Sequence, residues 1–76
     1  MKEFLETLAR ELVERPDDVS VDEIDEGDAT VLELDVAPED RGLVIGRHGR
    51  TVEALRVLVD AVARRKGLHY DVRVVE

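Results

Sequence analysis

The chain of 76 residues has no cysteine, no tryptophan, one phenylalanine, one tyrosine and two prolines. Each scarcity excludes something. Without cysteine there is no disulfide and no thiolate metal site, and the composition suits a reducing compartment. His48 and His69 stand apart with no thiol beside them, which makes no metal centre, and no cofactor is expected. No apolar run approaches the roughly 18 residues of a membrane-spanning helix. The opening "MKEFLETLARELVERP" carries Glu3, Glu6, Glu11 and Glu14, where a secretion signal needs a basic start and an unbroken apolar core. The expected location is the cytoplasm. No Ser/His/Asp or Cys/His set and no Walker loop occurs, so no enzyme is expected.

At this length the expectation is one domain, residues 1–76. So short a chain buries only about 60% of the surface its unfolded form exposes. The formal net charge is −8, but it is segregated. Arg41 to Lys66 holds seven basic and two acidic residues, a net +5; the rest holds four basic and seventeen acidic, a net −13. Such asymmetry says more about a partner than the total does.

Phe4, Leu5, Leu8, Ala9, Leu12 and Val13 recur as one stripe of a 3.6-residue helix, which Pro16 is expected to end. In "VSVDEI", Val19 and Val21 alternate with polar residues while Ile24 is out of phase, which predicts a short strand with an irregular end. "DEGD" supplies a turn, with Gly27 at a positive φ. "TVLELDV" predicts a second strand with Leu32, Leu34 and Val36 on one face, pairing with the first as a hairpin. "APEDRGLVIG" reads as a short helix opened by Pro38. A longer helix follows from about Arg50 to Lys66, with Val52, Leu55, Leu58, Val59 and Val62 as its buried stripe and Gly67 as its stop. "LHYDVRVVE" closes the chain as a strand, with Tyr70, Val72 and Val74 inward. The fold class is α+β in the order α-β-β-α-α-β, a three-stranded sheet with three helices on one face.

Only "GRHG" joins the two inner helices. Its glycines bear two readings. One is geometric: a tight turn needs left-handed residues, and Gly46 caps the first helix. The other is access: a backbone without Cβ atoms approaches a phosphate closely, and the start of the next helix favours an anion. Arg47 and His48 project outward in either case, and Arg47 adds a charged contact in the second.

The stretch "VIGRHGRTV" fits V-I-G-x-x-G-x-x-[aliphatic], which resembles the core of the KH domain, a single-stranded nucleic-acid-binding module with a GXXG loop. A helix and a strand before the β-α-α-β core resemble the type II arrangement. Length, the opening helix, "LDVAPEDRGLVIGRHGRT" and "VRVVE" are similar to the small bacterial single-KH (KhpA, or YlqC-like) family. That resemblance implies that Gly46, Arg47, His48 and Gly49 clamp a sugar-phosphate backbone, with Arg50 and Thr51 just beyond. It implies a groove for about four unpaired nucleotides, walled by Val44 and Ile45 on one side and "TVLELDV" on the other. With one Phe and one Tyr, aromatic stacking is not expected to carry affinity.

Arg41 faces either ligand or solvent, and Arg64, Arg65 and Lys66 either extend a phosphate path or complement a helix dipole. The resemblance further implies an RNA chaperone or post-transcriptional regulator, forming a homodimer or a heterodimer with a larger KH-containing RNA-binding protein. The competing reading is a ribosome-associated or protein-interaction module in which RNA contact is secondary.

Overall fold

The computed structural model describes residues 1–76. Three helices, α1 (Lys2–Leu12), α2 (Arg41–Ile45) and α3 (Arg50–Arg65), and three strands, β1 (Ser20–Asp25), β2 (Thr30–Asp35) and β3 (Tyr70–Val74), follow the order α-β-β-α-α-β. This is a type II KH-like arrangement.

The hairpin forms as its pattern predicts. β1 and β2 pair antiparallel from Ser20↔Asp35 to Asp25↔Thr30. Gly27 turns the chain with φ 88°, and its N–H donates to Asp25 Oδ1 at 2.9 Å. β3 returns through the helical crossover to lie parallel to β2, so the sheet order is β1-β2-β3, with β2 central and β3 at an edge. Val21, Leu32, Leu34 and Val72 point from one face into a core shared with Leu5 and Ala9 of α1, Val44 of α2 and Val52, Leu55 and Val59 of α3. Ile24 is out of phase because it lies on the opposite face, paired with Val31. There Val31 is buried while Ile24 is 36% exposed.

Two details depart from the sequence pattern. α1 ends at Leu12, short of Pro16, because Val13 turns extended (φ −99°, ψ 162°). The N–H groups of Glu14 and Arg15, which a longer helix would have used, donate instead to the carboxylate of Asp40, at 3.3 and 3.0 Å. Asp40 is only 1% exposed. It fastens the end of α1 to the start of α2, a role beyond the dipole partnership its position suggests. On α3 the buried set is Val52, Leu55, Val59 and Ala63. Leu58, expected inside, is 47% exposed. At 100° per residue it lies well off the Leu55–Val59 line, and Ala63 continues that line instead.

Candidate nucleic-acid interface

The segment between α2 and α3 is one tight turn, Gly46–Gly49, in which three of the four residues, Gly46, His48 and Gly49, have a positive φ. Gly46 has φ 77° and ψ 171°, a region open in practice to glycine alone. A Cβ there would overlap the Thr51 side chain and approach the Thr51 backbone nitrogen to 2.7 Å. Gly46 is therefore glycine because its backbone lies directly on the first turn of α3. Gly49 differs. It is left-handed (φ 74°, ψ 14°), but a Cβ there would meet nothing within 4 Å. His48, at φ 57° and ψ 25°, is the one non-glycine residue with positive φ. The loop thus packs on its Gly46 side and stands open on its His48–Gly49 side.

The donors of the turn divide similarly. Gly46 N–H donates to the Gly42 carbonyl at 2.9 Å and Gly49 N–H to that of Gly46 at 3.1 Å, while Arg50 N–H donates to Arg47. None of the turn and loop hydrogen bonds is donated by the N–H of Arg47 or His48. Main-chain donors in a turn that mixes right- and left-handed residues, flanked by cationic side chains, have the chemistry that suits an anion.

The arginines separate into two sets. Arg10, Arg15, Arg56, Arg64 and Arg73 are tied to carboxylates. Arg41, Arg47, Arg50 and Arg65 have no acidic partner; the first three lie on or beside the loop, and Arg65 lies at the far end of α3. Arg47 and Arg50 are exposed. Arg41 is half-buried one turn before Ile45, and its buried Nε has no hydrogen-bond partner. Away from the loop, Arg15 donates to Glu39 at 3.1 Å. The Glu39 carboxyl is held below its ordinary range, first by its own backbone N–H and then by Arg15.

A cavity of about 250 Å³ opens beside the loop, lined by Ile45, Val52, Arg56, Arg73, Val74 and Glu76. Its helical wall contains Ile45. Val44 does not face it: that side chain is 0% exposed and supports the wall from the core. The strand wall is β3, in place of the expected "TVLELDV". The parallel β2–β3 pairing makes β3 the edge strand beside α3, with β2 one strand further in. Arg56, Arg73 and Val74 were not singled out by sequence. Their signal would have been the register of an edge strand, which no local pattern encodes.

The structure therefore gathers Ile45 through Thr51 in and around one turn, with Arg41 one helical turn behind. No helix is long and apolar enough to cross a membrane. Nearly the whole chain matches a family model: residues 2–74 fit the KhpA/KhpB KH domain. Relatives named "RNA-binding protein KhpA" include one from Clostridium acetobutylicum, 43% identical over 99% of this chain and 100% of its own length. One from Halalkalibacterium halodurans is 48% identical over 87% of each chain. A third, from Chlamydia pneumoniae, is 38% identical over 100% of this chain and 97% of its own. No solved structure matches significantly. On fold, loop and family match together, the chain belongs to the KhpA/KhpB KH-domain family.

Proposed function

We propose that the chain is a single KH module, residues 1–76, that binds short single-stranded RNA without catalysis. Phosphates lie on Gly46–Gly49, helped by Arg50, Thr51 and Arg41, and bases enter the cavity between Ile45 and β3. The observation that carries the reading is the division of the cations. Those at the loop are unpaired and stand beside the main-chain donors of the turn, while the cavity arginines, Arg56 and Arg73, are neutralised by acids. A strand entering this groove has its charged backbone drawn to the loop and its bases turned toward β3. The names of the relatives support the same partner.

The acidic face around β1 repels RNA from the wrong side and orients the encounter. A small surface of this kind fits an RNA chaperone or regulator acting on cytoplasmic RNA. Tighter binding then needs a second module.

The outward face of α3 supplies a place for one. Ala54, Val57, Leu58 and Ala61 recur at i, i+3, i+4 and i+7 and are exposed, Val57 by 60%. A second copy packed antiparallel brings Glu53 toward the partner's Arg64, whereas a parallel copy sets like charges together. The antiparallel arrangement sends the two loops to opposite ends of a helix about 24 Å long. Two weak clamps then act as one tighter site on RNA that spans them.

The test is an NMR titration with a short random single-stranded RNA. Shifts clustered at Ile45–Thr51 and Val74 are expected. Shifts confined to α3 or the β1 face would favour the protein-interaction reading instead.

A further inference from the structure

The free edge of β3 is unusually furnished. Thr30 N–H donates to His69 and Val75 N–H to Leu34, so odd-numbered residues of this strand direct their main-chain groups toward β2. The even-numbered residues Tyr70, Val72 and Val74 direct theirs away from the sheet. An exposed edge of that kind ordinarily accepts another strand.

Here the middle of the edge is closed by side chains. Arg56 Nε donates to the Val72 carbonyl at 3.0 Å. The Val72 N–H donates to Asp71 Oδ1 at 2.8 Å. Arg56 and Asp71 are joined to each other at 3.4 Å, and Glu53 holds the other side of the guanidinium at 3.2 Å. Both main-chain groups of Val72 are therefore occupied by one clasp that reaches across from α3.

The consequence is discrete. An added peptide strand needs successive outward-facing residues, and the clasp breaks the series at its centre. Val74 is left beyond the break, and of the three outward-facing residues it alone lines the cavity beside the loop. One N–H and one C=O side by side suit the donor and acceptor groups on the edge of an unpaired nucleobase. They do not suit a strand.

Resting on the RNA reading above, we propose that Arg56 is a positioning residue: with Asp71 it interrupts the accessible edge of β3 at Val72, so that on the cavity side of the break Val74 alone offers a main-chain donor–acceptor pair to a nucleobase. The edge then reads one base of the bound segment, and its neighbours are held by apolar contact with Ile45 and Val52. This gives the groove a fixed register, because the base that reaches Val74 is set by the phosphate held at the loop.

The test uses the full chain, isotopically labelled, titrated with tetra-adenylate and tetra-uridylate RNA. In the unaltered protein the amides of Arg47–Gly49 and the amide and carbonyl of Val74 are expected to shift, while the Val72 carbonyl stays still. In Arg56→Gln the Val72 carbonyl is freed and is expected to shift on RNA addition as well. Asp71→Ala, at a side chain 52% exposed, provides a second variant that frees the Val72 N–H instead. A purely structural role for Arg56 would change melting temperature without making Val72 respond to RNA. A Val72 response already in the unaltered protein, or none in either variant, overturns the proposal. If the loop shifts and Val74 does not, the clamp stands and the edge assignment falls. If the loop is silent too, the RNA reading itself falls, and with it this proposal.

Discussion

Replacing Gly46 by alanine tests the geometry of the loop most sharply, because two independent costs meet at one atom. The first is conformational. Gly46 sits at φ 77° and ψ 171°, and holding a non-glycine residue in such a region costs about 1–3 kcal/mol. The second is steric. The new methyl would lie 2.6 Å from the Thr51 Cβ and 2.7 Å from the Thr51 nitrogen, well inside van der Waals contact. Forced overpacking of this kind adds about 1–3 kcal/mol. A chain of this size has about 4–11 kcal/mol of stability in all, so the substitution removes a large share of it. The two costs sum to about 2–6 kcal/mol, and with about 4–8 °C lost per kcal/mol the expected fall in melting temperature is about 8–48 °C.

Gly49→Ala is the matched control. It is left-handed but opens onto free space, so only the conformational cost of about 1–2 kcal/mol applies. Differential scanning calorimetry of both variants reads the difference. Thr51→Ala should not rescue Gly46→Ala, because the colliding backbone nitrogen remains. Equal melting temperatures for the two alanine variants, or full rescue by Thr51→Ala, would refute the claim that Gly46 is set by backbone packing.

Three further outcomes follow from particular contacts. Asp40→Ala strands two N–H groups between α1 and α2 and should cost about 2–4 kcal/mol by chemical denaturation, with Asp40→Asn milder because one oxygen can still accept. The Glu39 carboxyl should titrate by NMR below its ordinary value of 4.5. Because its folded pKa is lowered, its small stabilisation is present above the unfolded pKa and lost as pH falls through the folded one; Arg15→Gln should raise it only partly, since its own backbone N–H is the larger cause. Val57→Glu, at an exposed position, should leave the fold intact and abolish concentration-dependent self-association in analytical ultracentrifugation.

Much of this architecture was legible residue by residue. The alternation of Leu32, Leu34 and Val36 marked β2, and the apolar spacing from Val52 to Val59 marked α3, because burial of one face imposes a period on the sequence. The two glycines marked the loop because L-residues avoid its dihedrals. What was hidden depends on contacts distant in sequence. Nothing local announces that Asp40 will be buried against Glu14 and Arg15, or that α1 will stop early on that account. The strand wall of the cavity was misplaced for the same reason. "TVLELDV" and "YDVRV" are equally apolar strands, and only their parallel pairing decides which is the edge beside α3. Leu58 shows the opposite limit: an apolar residue near the stripe was counted in, where a full helical projection leaves it outside.

The central claim is that RNA is held at the loop by the main-chain donors of the turn and unpaired cations. Fluorescence anisotropy of a labelled short single-stranded RNA, with the unaltered chain and with Arg47→Asp/His48→Asp, tests it most directly. Both side chains are exposed, so the fold should persist. The account predicts a loss of affinity of at least about tenfold, or about 1.4 kcal/mol, with unchanged circular dichroism. Undiminished RNA binding by the folded double variant would contradict it.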